Sequence, residues 1–520
     1  MVARLELIIK ALFSPPQADG KLGKDVLVVV LVTFLLRLPS LFEPPWYDDE
    51  GIYAAVANSL LNGQRLYTEV LDNRPPGIYF LYALIMVVFG PNLFFIKLAA
   101  ILSVIGSQLI VVRIGSHLWS RRAGIIAALL LGILSSLPLF EGNIANAEIF
   151  MIFPTCLGML LWIKGSYFYS GLAFGAALSI KQIAGAEFTA AIITALLFAP
   201  YWKHRAALLL AGYSVPVLLI LAYVVLSGSF SEFIYANFSY YTDYLQRGAR
   251  VHPSFLVVKV LLLPSFVLLT MAWARGPRSD KSANIALITL WLAFAFFGSV
   301  LTGRPYPHYL LPIFPALSLL IAWYIVSRHA TGVARVTWPR LLATSSVLGI
   351  SVWLLISIFI PWPGWASVPR SFGYYGNFVE YAFGIKSRAS YNDFFDKRVN
   401  RNLEVASYLA SRARDGDSLL VWGDEPWIYA LSSLPEVARF TVAYYAYEIP
   451  GELKRVAESV AIREPAFIAL VTGKPLYPEL KNAIEKNYIV SKTVGTITVM
   501  ERTPPLIVQH GEIMPEQFIP

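Results

Sequence analysis

Three acids stand in a row at Asp48-Asp49-Glu50 and another lies at Glu148. Bases stand at Arg74, Lys181 and Arg304, with Gln182 beside the second and His308-Tyr309 just after the third. These residue types suit the transfer of a group from a phosphate to a hydroxyl. A carboxylate within hydrogen-bond reach takes the proton of the attacking hydroxyl as general base. Lys, Arg or other donors stabilise the charge that grows on a phosphate leaving group. A phosphate carried on a lipid also needs a site at a membrane face. Each residue has a plainer reading. Asp is a leading helix cap, an acid at Glu148 complements the dipole of the apolar run it begins, Lys181 can snorkel, and Arg304 and His308 can anchor an interface. Three consecutive acids exceed what one cap requires.

The elements that must position these groups are apolar. Hydrophobic residues make up 57% of the 520 and charged residues 14%, against about 45–50% and about 25% in soluble domains. That excludes a soluble enzyme, a disordered chain and a fibrous repeat. The 13 Trp, 28 Tyr and 32 Phe fit a protein with two membrane–water interfaces. The net charge of +9 is at home in cytoplasmic loops, with no need of nucleic acid. A lone cysteine, Cys156, provides neither an internal disulfide nor a cysteine metal site.

A bilayer crossing takes about 17–25 apolar residues. Such runs lie near 25–42, 92–114, 122–140, 148–164, 167–183, 186–202, 205–227, 255–274, 283–302, 308–326 and 340–360. The expected fold is therefore a polytopic α-helical membrane protein of about eleven spans. The run 76–90 is short, which suits a re-entrant or interfacial segment. Basic residues decide its fate. Clusters such as Lys21 and Lys24, Arg121 and Arg122, Lys203 and Arg205, Arg275 and Arg278, and Arg328 and Arg335 all face the cytoplasm only if 76–90 does not cross. The N-terminus then lies inside and the C-terminus outside. The first span, ending in Glu43-Pro44-Pro45, reads as an uncleaved anchor after the cytoplasmic segment 1–24.

With this orientation, 25–360 form the membrane domain and 43–91 its large external loop. Asp48 or Asp49 heads a helix that stops near Gly63. Its stripe of Ile52, Val56 and Leu60 predicts an amphipathic helix on the outer membrane surface. Residues 361–400 read as a membrane-surface linker, and 401–520 as a small extracytoplasmic α/β domain with a tail. In that domain Leu403, Ala406, Ala410 and Ala413 predict a helical stripe. Ser418–Trp422, Ala466–Val471 and Gly495–Met500 read as strands. Asp424-Glu425 follows the first strand, where α/β proteins often bind ligands, though a turn and helix cap is the simpler role.

Several short blocks resemble the multi-spanning GT-C glycosyltransferases of the protein O-mannosyltransferase and aminoarabinose transferase type. They are Asp49-Glu50, Tyr53-Ala54, Gly63 with Leu66-Tyr67, Arg74-Pro75-Pro76-Gly77-Ile78-Tyr79, Asn146-Ala147-Glu148, Lys181-Gln182, and Arg304 with His308-Tyr309-Leu310-Leu311-Pro312 and Pro315. They run in order over roughly 25–326. The resemblance implies a GT-C-like membrane domain that moves a monosaccharide, with inversion, from a polyprenyl-phosphate donor to a hydroxyl acceptor outside the cell membrane. It implies that Asp49 is the base, that Glu50 completes the acidic pair and that Glu148 is the second acid. Asp48, Arg74, Lys181, Gln182, Arg304, His308 and Tyr309 would face sugar or phosphate. Some relatives carry a metal-binding Glu where this chain has Asn73. No cofactor is required on this reading, and no divalent-metal ligand set is evident. The expected partners are the lipid-linked donor, membrane lipids and the hydroxyl acceptor, without nucleic acid.

A transporter or lipid flippase is the competing class. Such proteins keep ionisable sites near mid-membrane, whereas these polar groups crowd the ends of spans. The alternation of basic loops predicts that cysteines at Ser279 and Ser327, in a Cys156→Ser background, are shielded from an impermeant thiol reagent in intact cells. A cysteine at Ser254 should label. Labelling of Ser279 but not Ser254 would invert the topology.

Overall fold

A computed structural model describes residues 23–242, 280–301, 304, 306–330, 349 and 368–503. The expected spans at 255–274 and 340–360 lie outside them. The chain forms two units, Met1–Asn400 and Arg401–Pro520.

In the first unit α1 (Lys24–Arg37) runs on through a 3₁₀ turn to Phe42. It is followed by α2 (Asp48–Leu61), α3 (Gly77–Phe89), α4 (Leu93–Leu118), α5 (Arg121–Leu134), α6 (Ala147–Ile163), α7 (Tyr167–Ile180), α8 (Ala184–Leu197) and α9 (Trp202–Leu226). Then come α10 (Asp280–Val300), a 3₁₀ turn Pro307–Ile313 leading into α11 (Phe314–Ala330), α12 (Val368–Ala382), α13 (Arg388–Phe395) and the start of α14 (Arg398–Arg412). Among the described residues, Lys24–Phe42, Leu93–Leu118, Trp202–Leu226 and Pro307–Val326 are long and apolar enough to cross a membrane. The 13 residues of α3 reach about 20 Å at 1.5 Å each, short of a hydrocarbon core of about 30 Å.

Local signals start several helices. Asn92 and Ser120 accept backbone N–H bonds from Phe94 and Ala123 at the heads of α4 and α5. Packing then relies on small residues, as in membrane bundles. A Cβ on Gly171 of α7 would stand 2.0 Å from the carbonyl oxygen of Leu209 in α9. One on Gly212 would stand 1.8 Å from that of Phe168. The two backbones approach this closely because both positions are glycine.

Charged groups buried in the bundle are tied down. Arg37 donates to the carbonyls of Ser135 (2.8 Å) and Gly142. Lys97, 1% exposed, bridges Glu43 at 2.9 Å and Glu50 at 2.6 Å. Glu43 also accepts from Asn143 (2.8 Å), Trp46 (3.1 Å) and the Tyr374 hydroxyl (2.7 Å). Glu50 also accepts the Ala145 N–H at 2.5 Å.

The structure corrects the expected surface placement of α2. Ile52 and Val56 are buried, as the stripe predicts, but so are Tyr53, Ala54, Ala55, Ala57, Asn58 and Ser59. Neighbouring chain can close on every face because most of these side chains are small. The helix is enclosed in protein, with no lipid-facing and water-facing halves.

The second unit is an α/β domain with a four-stranded sheet of order β1-β2-β4-β3. Strands β1 (Leu419–Trp422) and β2 (Phe467–Val471) are parallel, from Leu419↔Phe467 to Trp422↔Leu470. Strand β4 (Ile497–Arg502) runs antiparallel to β2 and to β3 (Tyr488–Val494). The sequence pattern omits β3 because it is an edge strand with Ile489 and Val490 exposed. The buried side of α14 is Asn402, Val405, Ala406 and Leu409, with Ala410 exposed. The expected alanine stripe is thus rotated, since Val and Leu bury more apolar area than Ala. Asp424 accepts the Tyr444 N–H (3.1 Å) and pairs with Lys474. Glu425 binds Arg401 (2.5 Å) and Asn402 (2.6 Å). Both acids serve as turn ties.

Removing one partner of a buried ion cluster leaves charge uncompensated and costs about 3–5 kcal/mol. Lys97→Met, which strands Glu43 and Glu50, should therefore lower the melting temperature of the detergent-purified protein by several degrees. An unchanged melting temperature would show that the cluster contributes little.

Candidate active site

The backbone of α2 begins at Asp48, with Tyr47 in the cap position and no side chain capping it. Asp48, Asp49 and Glu50 therefore occupy the first helical turn, where the dipole favours anions, and neither Asp is a cap. Successive helical residues point about 100° apart, and the three acids go to three places. Asp48 reaches Arg398 at 3.3 Å. Glu50 turns to Lys97. Asp49 meets Arg74.

The Arg74 guanidinium forks between two carboxylates, Asp49 at 2.9 Å and Asp72 at 2.8 Å. It lies over the Tyr53 ring at 4.9 Å. Asp72 is fully buried and also accepts the Tyr79 hydroxyl at 2.5 Å. Asp49 keeps 23% of its side chain exposed, so solvent or a substrate can reach it. Burial alone would raise the pKa of Asp49, but the charges of Arg74, His308 and Lys181 outweigh that and hold it below the ordinary carboxylate value. The base candidate is therefore ionised. Burial likewise opposes the charge on Arg74, yet Asp49, Tyr53 and Asp72 leave it more firmly protonated than a free arginine.

A turn along α2, the Tyr53 hydroxyl donates to Asn146 at 2.7 Å. Asn146 caps α6, whose first turn carries Glu148, fully buried. Glu148 pairs with Lys181, the residue that ends α7. The Lys181 ammonium sits 4.8 Å from the Tyr309 ring centre. His308 brings Nε2 to 3.8 Å from Glu148 and Nδ1 to 2.5 Å from Glu141. The Tyr47 hydroxyl approaches His308 Nδ1 at 3.3 Å and Glu141 at 3.4 Å.

The structure thus gathers Asp49, Arg74, Glu148, Lys181, His308 and Tyr309 from α2, the following loop, α6, α7 and the turn before α11. Gln182 supports this group from behind, donating to the Asn73 carbonyl (2.8 Å) and to Asn237 (3.0 Å). Arg304 is half-buried ahead of the His308 turn. Asp48 and Glu50 stand in the separate ion pairs already described. Tyr47, Asp72 and Glu141 carry no role in the sequence reading, and Tyr53 enters it only as part of a resemblance block. An acid two residues before Arg74 was a signal for Asp72. Tyrosine is too common in this chain for Tyr47 to stand out. Among the described residues no group of three or more His, Cys, Asp or Glu could hold a metal ion.

No family model matches the chain. It is 28% identical over 367 residues to undecaprenyl phosphate-alpha-4-amino-4-deoxy-L-arabinose arabinosyl transferase 1 of Pseudomonas fluorescens, covering 63% of this chain and 64% of that protein. The match to the corresponding transferase of Pseudomonas savastanoi is 24% over 377 residues, covering 66% and 69%. The chain thus spans slightly less than two thirds of the length of the first of these relatives. In fold it matches the crystal structure of ArnT from Cupriavidus metallidurans bound to undecaprenyl phosphate. That match has a TM-score of 0.55 at 15% identity and covers 91% of this chain and 97% of that one.

Proposed function

From a GT-C fold and kinship with aminoarabinose transferases, we propose that this chain is an integral membrane glycosyltransferase. It moves a monosaccharide from a polyprenyl-phosphate carrier to a hydroxyl acceptor on the extracytoplasmic face of the cell membrane. One observation carries the reading. A partly exposed carboxylate, Asp49, is kept ionised by Arg74 and lies within the field of Lys181 and His308. That is the pairing of base and anion-stabilising groups which transfer from a phosphate needs.

On this reading Asp49 takes the proton of the acceptor hydroxyl, and the oxygen attacks the sugar carbon that bears the phosphate. The carbon–oxygen bond to phosphate breaks on the opposite face, giving inversion, and its electron pair stays on the leaving phosphate. Lys181, Arg304 and His308 meet that charge. Glu148 holds Lys181 in place and faces the sugar. Arg74 keeps Asp49 ionised and oriented. Glu50 and Asp48 act at one remove, through the ion pairs that set the rotation of α2. No step is routed through a metal. The Asn73 side-chain oxygen lies 3.5 Å from Arg74, and Asp72 is committed to Arg74 and Tyr79.

The lipid carrier and a lipid or other acceptor would arrive along the membrane. Helix α12 has Val368, Phe372 and Val379 exposed, with Phe383 exposed just beyond it, and Phe378 contacts Phe42 with ring centres 5.4 Å apart. Phe42 ends the first candidate span, so this apolar stripe suits the membrane surface. Transport is the weaker reading because the gathered charges stand at helix ends.

The decisive variant is Asp49→Asn, which keeps the size of the side chain. Turnover should fall by about 10²–10⁴, the usual contribution of general-base catalysis, with little change in melting temperature. Asp48→Asn should lose far less. Transfer from undecaprenyl-phosphate sugars, measured with purified protein, checks both. A fully active Asp49→Asn protein would sink the assignment. A pH profile adds a second test. Asp49 works when ionised, so activity is present above its pKa and lost as pH falls through it. Arg74→Met removes the charge that holds that pKa down. The acidic limb of the rate profile should therefore move to higher pH, by about one unit or more for the loss of a close opposite charge.

A further inference from the structure

Glu141 is buried at 4% exposure beside the site. It follows the 3₁₀ turn Pro138–Phe140 with φ of 52°, in the left-handed region. A glutamate there is strained, and such strain persists only where the surroundings over-determine it. They do so here. The Glu141 N–H donates to the Pro138 carbonyl at 2.9 Å, and the Gly142 N–H to that of Leu137 at 3.1 Å. Buried Arg37 holds the Gly142 and Ser135 carbonyls. A glycine would suit the backbone better, so the side chain needs another reason to be there.

That reason is the His308 ring. The Glu141 carboxylate meets Nδ1 at 2.5 Å, the Tyr47 hydroxyl stands over both, and Nε2 lies 3.8 Å from Glu148. Tyr306 stacks on the ring with centres 5.7 Å apart, and Tyr309 packs edge-on at 4.7 Å. The ring is gripped on its faces and at one nitrogen, and its other nitrogen is turned to the Glu148–Lys181 pair. A carboxylate on one imidazole nitrogen keeps the proton there and thereby decides what the other can do.

We infer that Glu141 is a positioning residue that acts through His308, holding a proton on Nδ1 so that Nε2 is presented to the Glu148–Lys181 pair and to a phosphate bound there. The phosphate part rests on the transfer reaction proposed above. When the ring carries both protons, Nδ1–H stays with Glu141 and Nε2–H is donated to the phosphate oxygen that gains the electron pair. No proton has to leave the ring in that step.

Two variants of the full-length protein in lipid nanodiscs test this. Glu141→Gln keeps the shape and removes the charge. Glu141→Gly removes the side chain and fits the left-handed backbone, so it guards against misfolding. With undecaprenyl-phosphate aminoarabinose as donor, both should lower kcat by about 10–100-fold, the range found when the hydrogen-bond partner of a metal-bound histidine is removed. The Gly variant relieves the left-handed backbone, so it should still fold and melt in one cooperative transition. Adding either change to His308→Gln should cost nothing further, since the two residues act as one unit. Nitrogen-15 spectra of the imidazoles read the coupling without substrate. At a pH high enough to leave the ring neutral, the His308 signal, identified by its loss in His308→Gln, should show the proton on Nδ1 in the parent and a mixture in Glu141→Gln. An unchanged His308 tautomer in Glu141→Gln, or losses that add fully in the double variants, would overturn the inference. If the parent transfers no sugar, the transfer reading fails, and the spectra alone decide whether Glu141 sets His308.

Discussion

A lysine ammonium buried between two carboxylates holds the first unit in register. Lys97 belongs to α4, Glu43 follows the end of the first span, and Glu50 is in α2. Taking three charges out of water is costly, and only close mutual pairing with further hydrogen bonds repays it. The cluster supplies both: Glu43 gathers Asn143, Trp46 and Tyr374, and Glu50 takes the Ala145 N–H. The energetic return is small, but the geometric one is large. With Glu50 fixed on Lys97, α2 has one permitted rotation. Asp49, one residue earlier, must then point about 100° away, where Arg74 waits.

The same pair of contacts ties the site to the segment that follows α5. Ala145 and Asn143 join the Glu50 and Glu43 ends of the cluster, and Asn146 accepts from Tyr53 while capping α6. The stretch 143–146 is therefore held on several sides. Glu148 comes next and Glu141 just before. Two of the acids near His308 thus owe their places to the cluster that aims Asp49. A shift of Lys97 would reach Asp49 and the acids around His308 together.

Much of this was legible in the sequence, for a physical reason. In a chain this apolar every charge is conspicuous, and a charge retained at the end of a hydrophobic run is there for a partner. Asp49, Arg74, Glu148, Lys181 and His308 were all visible on that ground, and the structure gathers them. The resemblance singled out Asp49, but residue type and spacing alone did not say which of three adjacent acids faces the site. That depends on Lys97, remote in sequence and buried inside an apolar run. The enclosure of α2 was hidden for a similar reason, because Ala and Ser tolerate either a solvent or a protein neighbour. In the second unit the parallel strands announced themselves as buried apolar runs. Edge strand β3 shows no such run, with Ile489 and Val490 both exposed.

The choice of tyrosine around these charges follows from the same costs. A buried carboxylate has more lone pairs than one cation can satisfy, and each extra cation brings its own desolvation penalty. A phenol donates a hydrogen bond without adding charge. Tyr79 completes Asp72, Tyr374 completes Glu43, and Tyr47 stands by Glu141. Burial raises the pKa of Tyr47, Tyr53 and Tyr374, helped by nearby acids that include Glu141, Asp49 and Glu43. They therefore remain neutral donors at any working pH. Around these acids the bonds beyond the first cation come from neutral donors. Arg74 stands beside Asp49 and Asp72, and Lys181 beside Glu148.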